Sequence, residues 1–526
     1  MTPKSAEQMR PKPAAADTAQ ATASKVVSID VLAGIVKDAR QSGRKVVLCH
    51  GVFDVVHLGH IRHLQAARAE GDVLVVTTTA DAFVNKGPGR PVFPEHLRAE
   101  MLAALEIVDW VAVNHHPSSV PVIEAIKPDI YVKGSEYQNA EDDVTGRIHH
   151  EKDAVEAHGG KIVFTHDITF SSSNLINRYL DVHDPALRDF LSAATAGGAY
   201  ARIADLIKKV ENYKVVLVGD TIIDEYVYVS ALGKPSKEHI VATLYCDREL
   251  FAGGVIATAN HVAGFCNEVE VVTMLGGDEA HEELVREQLR PNVKLHAIHV
   301  PGRPTTRKTR FIDTFRKLFE VYTMDDTPLE ASQREQVNQA VRERCATADV
   351  TIVNDFGHGL IDKSTVDVLA RTAKFLAVNV QTNSGNQGFN TATKYPRASY
   401  VCVDAPEARL AVSDKFNDIN QVIVDGLAKR IDCKNFMVTH GELGCYAYSE
   451  KGKPVHVPAF TKSVVDTMGA GDALFAVTSP LVAAGGSMED IAIVGNATGA
   501  IKVGIVGHRN FVDRPPLLKY LAALLK

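Results

Sequence analysis

His50-Gly51-Val52-Phe53-Asp54-Val55-Val56-His57-Leu58-Gly59-His60 follows a short apolar run, Lys45-Val-Val-Leu-Cys-His50, and leads into a helix-patterned segment from His60 to Glu70. The run is β-branched, ends at Gly51 and has the length of a buried parallel strand. A strand, a Gly-containing turn and a helix in immediate succession place the turn at the carboxyl end of a strand, where open α/β sheets bind ligands. The helix start supplies unpaired N–H groups and partial positive charge suited to phosphate. His57 and His60 lie three apart, so both rings can project from one helix face toward one anion. Gly59 between them lets a ligand approach the backbone closely.

Working outward, Ser28 to Ser42 carries Val31, Leu32, Ile35 and Val36 at helical spacing. Downstream, Val73–Thr77, Trp110–Val113, Ile130–Val132 and Lys161–Thr165 read as further strands separated by helical stretches. This alternation predicts a doubly wound parallel sheet within residues 25–182. Residues 1–24, rich in Ala, Pro, Thr, Gln and Lys, read as a disordered tail. Residues 183–212 hold Ala193-Ala-Thr-Ala-Gly-Gly198 between two helical patterns and read as a helical interdomain linker. A new apolar strand at Lys214–Val218 opens a second, larger α/β domain, 213–526. Its strand signals are Val269–Met274, Val350–Asn354, Phe375–Val380, Tyr400–Val403 and Phe436–Thr439.

That domain has its own phosphate signal. In Val464-Val-Asp-Thr-Met-Gly-Ala-Gly-Asp-Ala473, two glycines and a small Ala leave backbone N–H groups unobstructed at a helix start. Asp472 follows directly, placed to take a proton from an attacking hydroxyl during phosphoryl transfer. No G-x-x-x-x-G-K-[ST] loop occurs.

Composition bounds the partners. The 526 residues carry 57 Lys and Arg against 64 Asp and Glu, a net charge of −7, which excludes the dense positive surface of non-specific nucleic-acid binding. The seven cysteines include no C-x-x-C, so a disulfide framework or zinc site is not expected and a reducing, cytoplasmic setting is. No apolar run is long enough to predict a membrane span or a secretory signal.

Residues 45–180 resemble the nucleotidyltransferase superfamily bearing the H-x-G-H signature, in its sugar-phosphate branch. The likeness rests on G-V-F-D-x-x-H-x-G-H, Lys86-Gly-x-x-Arg90-Pro91, Arg98, Val108-Asp109, Pro128-Asp129-x-x-Val132-Lys133-Gly134 and Phe170-Ser-Ser-Ser173. The resemblance implies that His57 and His60 hold nucleotide phosphates in the transition state and that Ser171, Ser172 and Ser173 bind phosphate at the last helix. Lys86 and Arg90 would close over a triphosphate from a Gly/Pro-rich loop, Lys86 as a catalytic cation, and Phe53, Asp54 and Gly59 would line the nucleotide site. The implied chemistry is attack of a sugar phosphate on the α-phosphorus of a nucleoside triphosphate, with magnesium carried on the phosphate oxygens.

Residues 213–510 resemble the ribokinase-like carbohydrate kinases. The run Asp466-Thr-x-Gly-Ala-Gly-Asp472 is similar to that family's second signature, and Phe251-Ala-Gly-Gly254 to its first. Gly219-Asp220-x-x-x-Asp224, Gly276-Gly-Asp278, Thr306-x-Lys308-x-Arg310, Asp355-Phe-Gly-His-Gly359 and Val438-Thr-x-Gly441-x-x-Gly444 also fit. The resemblance makes Asp472 the catalytic base, Gly469, Ala470 and Gly471 the anion hole and Asn496 a neighbour of the adenine pocket. It sets Asp224, Gly253, Gly254, Lys308 and Arg310 at the sugar. Asn379-Val-Gln-Thr-Asn-Ser-Gly385 stands where many members show Asp-x-Lys, so the sugar stays open.

The expected whole is α/β throughout: an N-terminal Rossmann-like nucleotidyltransferase sheet, then a ribokinase-like domain with a small β lid through which the chain would form a homodimer. The two modules resemble those of the ADP-heptose synthesis enzymes, in reversed order. The implied function is ATP-dependent phosphorylation of a heptose-like sugar and nucleotidyl transfer, from ATP in preference, to a sugar 1-phosphate. The alternative is a cytidylyltransferase acting on an alditol phosphate, fused to a kinase-like domain that only senses sugar.

Overall fold

The computed structural model describes residues 24–84, 90–134, 148–165, 185–233, 239–313, 316–386, 388–450, 452–461 and 464–525. The expected tail to residue 23, Lys86 and the serines Ser171, Ser172 and Ser173 lie outside them. The chain divides into two units, Met1–His183 and Asp184–Lys526.

In the first unit the helix α1 (Ile29–Gln41) is capped by Ser28, whose side chain accepts from the Val31 N–H. Then come β1 (Val46–Gly51), α2 (Leu58–Ala69), β2 (Val73–Thr79), α3 (Glu95–Ala103), β3 (Trp110–Asn114), α4 (Val120–Ile126), β4 (Ile130–Gly134), α5 (Ile148–Glu156) and β5 (Lys161–Thr165). The strands form one parallel sheet in the order β3-β2-β1-β4-β5. Strand residues alternate between two cores. Val47 and Cys49 meet Leu64 of α2 and Leu102 of α3, whereas Val46 and Leu48 meet Leu32 and Val36 of α1 and Ile123 of α4. Both faces are therefore covered, and the strand order reverses direction between β1 and β4, the switch point at whose carboxyl ends such sheets bind ligands.

The second unit begins earlier than the sequence reading places it. The 183–212 stretch, expected as an interdomain linker, forms α6 (Pro185–Ala196) and α7 (Ala199–Lys209), whose Leu187, Leu191, Ile203 and Ile207 are buried in this unit's core. Their spacing of four makes an apolar stripe that must be covered, and Gly198, at φ 71°, makes the turn between the helices. Arg202 adds a two-pronged ion pair to Asp490.

The strands β6 (Lys214–Gly219), β9 (Glu268–Asp278), β10 (Val293–Pro304), β13 (Val350–Asp355), β14 (Leu376–Val380), β15 (Tyr400–Asp404), β16 (Asn435–Thr439), β17 (Cys445–Ser449) and β18 (Val455–Val457) form a nine-stranded sheet, β10-β9-β6-β13-β14-β15-β16-β17-β18. It is parallel up to β16 and antiparallel at the β17–β18 edge. A separate four-stranded sheet, β12-β11-β7-β8, is built from β7 (Thr221–Gly233), β8 (Ala242–Gly254), β11 (Thr306–Asp313) and β12 (Arg316–Thr323); it is the expected lid. The helices that position the site are α8 (Val255–Val262), α9 (Ala405–Val412), α10 (Ala470–Ala483) and α11 (Met488–Lys502).

Candidate functional sites

In the first unit, His57 is the N-cap of α2 and closes a reciprocal cap with His60. The Gly59 N–H donates to Nδ1 of His57 at 3.1 Å, and the His57 N–H to Nδ1 of His60 at 3.4 Å. The two rings stack with centroids 4.0 Å apart. Because each Nδ1 accepts, each neutral imidazole carries its proton on Nε2, which is then the donor for an anion. The expected pairing of the histidines at a helix start, directly after β1, is what the structure holds.

Other expected contacts are spent elsewhere. Phe53 is buried in the core at φ 47°, its ring edge-on to His60 at 5.3 Å, so it supports that histidine instead of lining a nucleotide. Asp54 is fully buried; it accepts from Arg90 at 2.9 Å and from the Val92 N–H at 2.6 Å. This pair of opposite charges holds residues 90–92 against the 52–54 turn and occupies Asp54, while Nη2 of Arg90 is buried with no hydrogen-bond partner among the described residues. Burial lowers the proton affinity of Arg90, and Asp54 opposes it. Sequence reasoning assigned no role to Arg98, which is wholly buried. It donates to the Val52, Phe93 and Thr79 carbonyls, to Oγ1 of Thr78 and to Asp81, tying the turn after β1 to the end of β2.

In the second unit, Gly469 caps α10 at φ 69°, and Gly471 and Asp472 lie in the first turn. The first N–H groups of a helix have no intrahelical acceptor, so this turn can offer an anion hole, with the Ala470 N–H donating to the Thr467 carbonyl at 3.3 Å. Its approach is held by Asp466, which accepts from Tyr226 at 2.8 Å, Lys317 at 2.8 Å, and the N–H groups of Met468 and Gly507. Burial opposes ionisation of Asp466, but these donors hold it at about 2. Lys502, fully buried, donates to the Met468 and Gly507 carbonyls from below; burial pushes its pKa down to about 8.

Asp472 is half-buried and its carboxyl is pushed up to about 6. Burial is the main cause; Asp224 adds to it, against the charges of His508, Lys308 and Lys502. His508 links the two ends of the site: its Nε2 is 3.3 Å from Asp224, and its ring lies 2.8 Å from where a Cβ on Gly469, at the cap of α10, would stand. Asp224, on β7, is buried, yet His508 at 3.3 Å and Arg310 outweigh the burial and hold it at about 2. Gly253 lies against it: a Cβ there would stand 2.0 Å from Oδ2 of Asp224. Gly254, at φ 60°, opens α8 where a Cβ would meet the Asp220 carbonyl at 2.4 Å. Lys308 is buried, with Nζ 5.0 Å from the centre of the Tyr322 ring; burial lowers its pKa and Asp224 opposes that.

Two expectations change here. The Arg310 guanidinium is bound to Asp224 and Glu320, so it orients the acid and is not directed at a sugar. The Asn496 amide donates to the Val457 and Pro458 carbonyls, fastening α11 to the sheet edge and not facing a base. Sequence reasoning missed His508 and Lys502, which touch the site from positions far along the chain, and gave no role to Gln381, although it stands in the 379–385 stretch at the Lys position of the Asp-x-Lys pattern. For the other two the sequence offers no signal. Glu407, at the start of α9, is pushed up to about 8 by burial, with the charges of Asp404 and Asp472 adding. Among the described residues, no group of three or more His, Cys, Asp or Glu could hold a metal ion, and no helix is long and apolar enough to cross a membrane.

Comparison with known proteins agrees with both geometries. Residues 48–178 match a family described as cytidylyltransferase-like, and residues 212–514 match the pfkB family carbohydrate kinases. Among curated proteins the chain is similar to the bifunctional protein HldE of Geobacter metallireducens, with 38% identity over 162 residues, covering 30% of this chain and 31% of that one. HldE of Citrifermentans bemidjiense is 42% identical over 141 residues, 26% of this chain and 28% of that one. The chain thus spans less than a third of the length of these two relatives. Among solved structures, a ribokinase from Thermotoga maritima is 19% identical at a TM-score of 0.48, covering 59% of this chain and 99% of that one. The tetrameric inhibited form of phosphofructokinase-2 from Escherichia coli is 14% identical at a TM-score of 0.48, covering 60% and 100%. The protein resembles HldE in having two modules, here with the nucleotidyltransferase-like one first and the kinase second. The kinase match extends over more than half of the residues, and the chain belongs to the pfkB family of carbohydrate kinases.

Proposed function

We propose that this is a bifunctional enzyme of nucleotide-activated sugar synthesis. The second unit phosphorylates a heptose-like sugar or sugar phosphate with ATP. The first transfers a nucleotidyl group, from ATP in preference, to a sugar 1-phosphate. The observation that carries the reading is the placement of Asp472 in the first turn of α10, behind the Gly469 cap, with His508 reaching from that cap to the carboxylate of Asp224; burial pushes the Asp472 carboxyl up to about 6. A base for phosphoryl transfer should titrate near working pH, and a group orienting a sugar should stay ionised.

In the kinase step the sugar hydroxyl gives its proton to Asp472 while its oxygen attacks the γ-phosphorus, and ADP leaves. Asp224 accepts hydrogen bonds from neighbouring sugar hydroxyls, and the N–H groups of Gly469, Ala470 and Gly471 with Lys308 stabilise the charge on the transferred phosphoryl. In the transferase step a sugar phosphate oxygen attacks the α-phosphorus and pyrophosphate leaves. The Nε2 groups of His57 and His60 donate to the phosphate oxygens; the family resemblance gives Lys86, Ser171, Ser172 and Ser173, which lie outside the described residues, the same phosphate-binding part. Magnesium, when bound through the phosphate oxygens of the nucleotide, would supply charge neutralisation in both steps.

Cytidine triphosphate with an alditol phosphate is the second reading for the first unit, favoured by its match to a cytidylyltransferase-like family. We also infer a cytoplasmic homodimer joined through the kinase lid, supported by exposed Leu244, Tyr245, Phe319 and Val321 on that sheet. Sedimentation giving only a monomer ends the dimer proposal.

The test is mass spectrometry of products from all four nucleoside triphosphates with a panel of heptoses and sugar phosphates. Sugar-dependent ADP should vanish in Asp472→Asn and persist in His57→Ala. Pyrophosphate release should do the reverse. Pyrophosphate release unchanged in both His57→Ala and His60→Ala removes the transferase assignment.

A further inference from the structure

Gln381 follows β14 by one residue. Its Nε2 donates to Oδ1 of Asp472 at 2.8 Å and lies 3.4 Å from Oδ1 of Asn379, so both amide hydrogens have directions. The backbone is pinned as well. The Gln381 N–H donates to the Asp355 carbonyl at 2.9 Å, and its carbonyl accepts from the buried amides of Asn386 at 3.4 Å and Asn390 at 3.2 Å. Asn379 is itself fixed to the Cys402 carbonyl at 2.8 Å. Neighbouring Asn354 pairs with Asn379 in register and is fully buried, but neither polar atom of its amide has a partner among the described residues. Among those residues, the row of amides therefore reaches the Asp472 carboxylate through Gln381.

We propose that Gln381 is a positioning residue of the kinase half, a neutral donor that fixes Oδ1 of Asp472, presents Oδ2 to the substrate hydroxyl and adds no positive charge beside the base. The proposal rests on the reading of Asp472 as that base. The charges around the carboxylate come from several elements: Asp224 on β7, Lys308 on β11, Glu407 on α9, Lys502 on α11 and His508 beyond it. Against that background burial keeps Asp472 near 6. A cation in place of Gln381 would lower that value by roughly one to three pH units, and a carboxylate would raise it.

The experiment uses the full chain with aspartate labelled by carbon-13 at the carboxyl, titrated by NMR. The resonance absent from Asp472→Asn identifies the base. Its midpoint is expected near 6 in the wild type. It should fall by roughly one pH unit or more in Gln381→Lys and rise in Gln381→Glu and Gln381→Met. Where one variant fails to fold, the remaining two still give a direction. With ATP and the heptose panel, the acid limb of kcat should move with the midpoint, while KM for ATP stays within about twofold. One midpoint shared by the wild type and all folded variants overturns the assignment. A midpoint that moves as expected in a protein releasing no ADP with any sugar upholds the hydrogen bond and overturns the kinase reading instead.

Discussion

A Cβ built on Gly253 would stand 2.0 Å from Oδ2 of Asp224 and 3.2 Å from Nε2 of His508. Asp224 cannot yield easily, because Arg310 and His508 hold it from two other sides. Gly253→Ala should therefore displace the Asp224 carboxylate, which the proposed function sets at the sugar, by roughly an ångström or less. Sugar-dependent ADP formation should fall roughly 10²-fold with the fold intact, since misplacing one group in a catalytic constellation costs about that much. Kinetics with circular dichroism check it, and near-normal turnover would mean that Asp224 does not touch substrate. The candidate residues that the structure places near a strand or helix terminus, His57, His60, Asp224 and Asp472, all stand in runs whose local pattern announces a strand end or a helix start. Others have partners far away in the chain: Asp54 meets Arg90, Arg310 meets Asp224 and Glu320, and Gln381 meets Asp472. A charged residue in a glycine-rich loop looks the same in sequence whether it waits for phosphate or is already paired.

At the scale of elements, the parallel strands were legible because both faces are buried and their β-branched runs are unbroken. The expected Lys161–Thr165 strand is observed with the same bounds, and Val350–Asn354 gains one residue. The linker was misplaced because its Ala-Gly-Gly turn resembles a hinge, and the apolar stripes of α6 and α7 do not say which core covers them. The lid strands carry alternating polar residues that became informative only through register. Lys317 on β12 reaches Asp466 at 2.8 Å, so the lid is tied to the approach of the anion hole. Asp466 sits at about 2 in the folded state, below its ordinary unfolded value near 3.9, so its contribution is present above that value and lost as pH falls toward 2. Lys317→Met removes one of its donors. Because Lys317 is 41% exposed, the loss at pH 6 should be about 1 kcal/mol or less. The gap between wild type and variant should narrow on acidification, as urea titrations at pH 6, 4 and 3 would show. A gap that widens toward pH 3 would contradict the assignment of the bridge to the ionised carboxylate.

For the whole molecule, the decisive feature is that each unit closes its own cores on both faces of its own sheet. Cooperative unfolding follows contiguous buried cores, so heating should give two transitions, one for Met1–His183 and one for Asp184–Lys526. Leu102 of α3 and Phe475 of α10 are both fully buried, in different units. Leu102→Ala should cost about 2–5 kcal/mol and Phe475→Ala about 3–5 kcal/mol, from lost transfer energy and the cavity left behind. In a unit the size of the first, the Leu102→Ala loss corresponds to a fall of roughly 4–20 °C in Tm. Leu102→Ala should lower one calorimetric transition and abolish pyrophosphate release on warming while sugar-dependent ADP formation survives; Phe475→Ala should do the opposite. Because α6 and α7 bury Leu187, Leu191, Ile203 and Ile207 with Phe475, the second transition should also fall when Ile203 is replaced by Ala, although residue 203 lies in the stretch the sequence assigns to a linker. A shift of the first transition by Ile203→Ala, or a single transition lowered alike by all three variants, would show that the cores do not act as separate cooperative units.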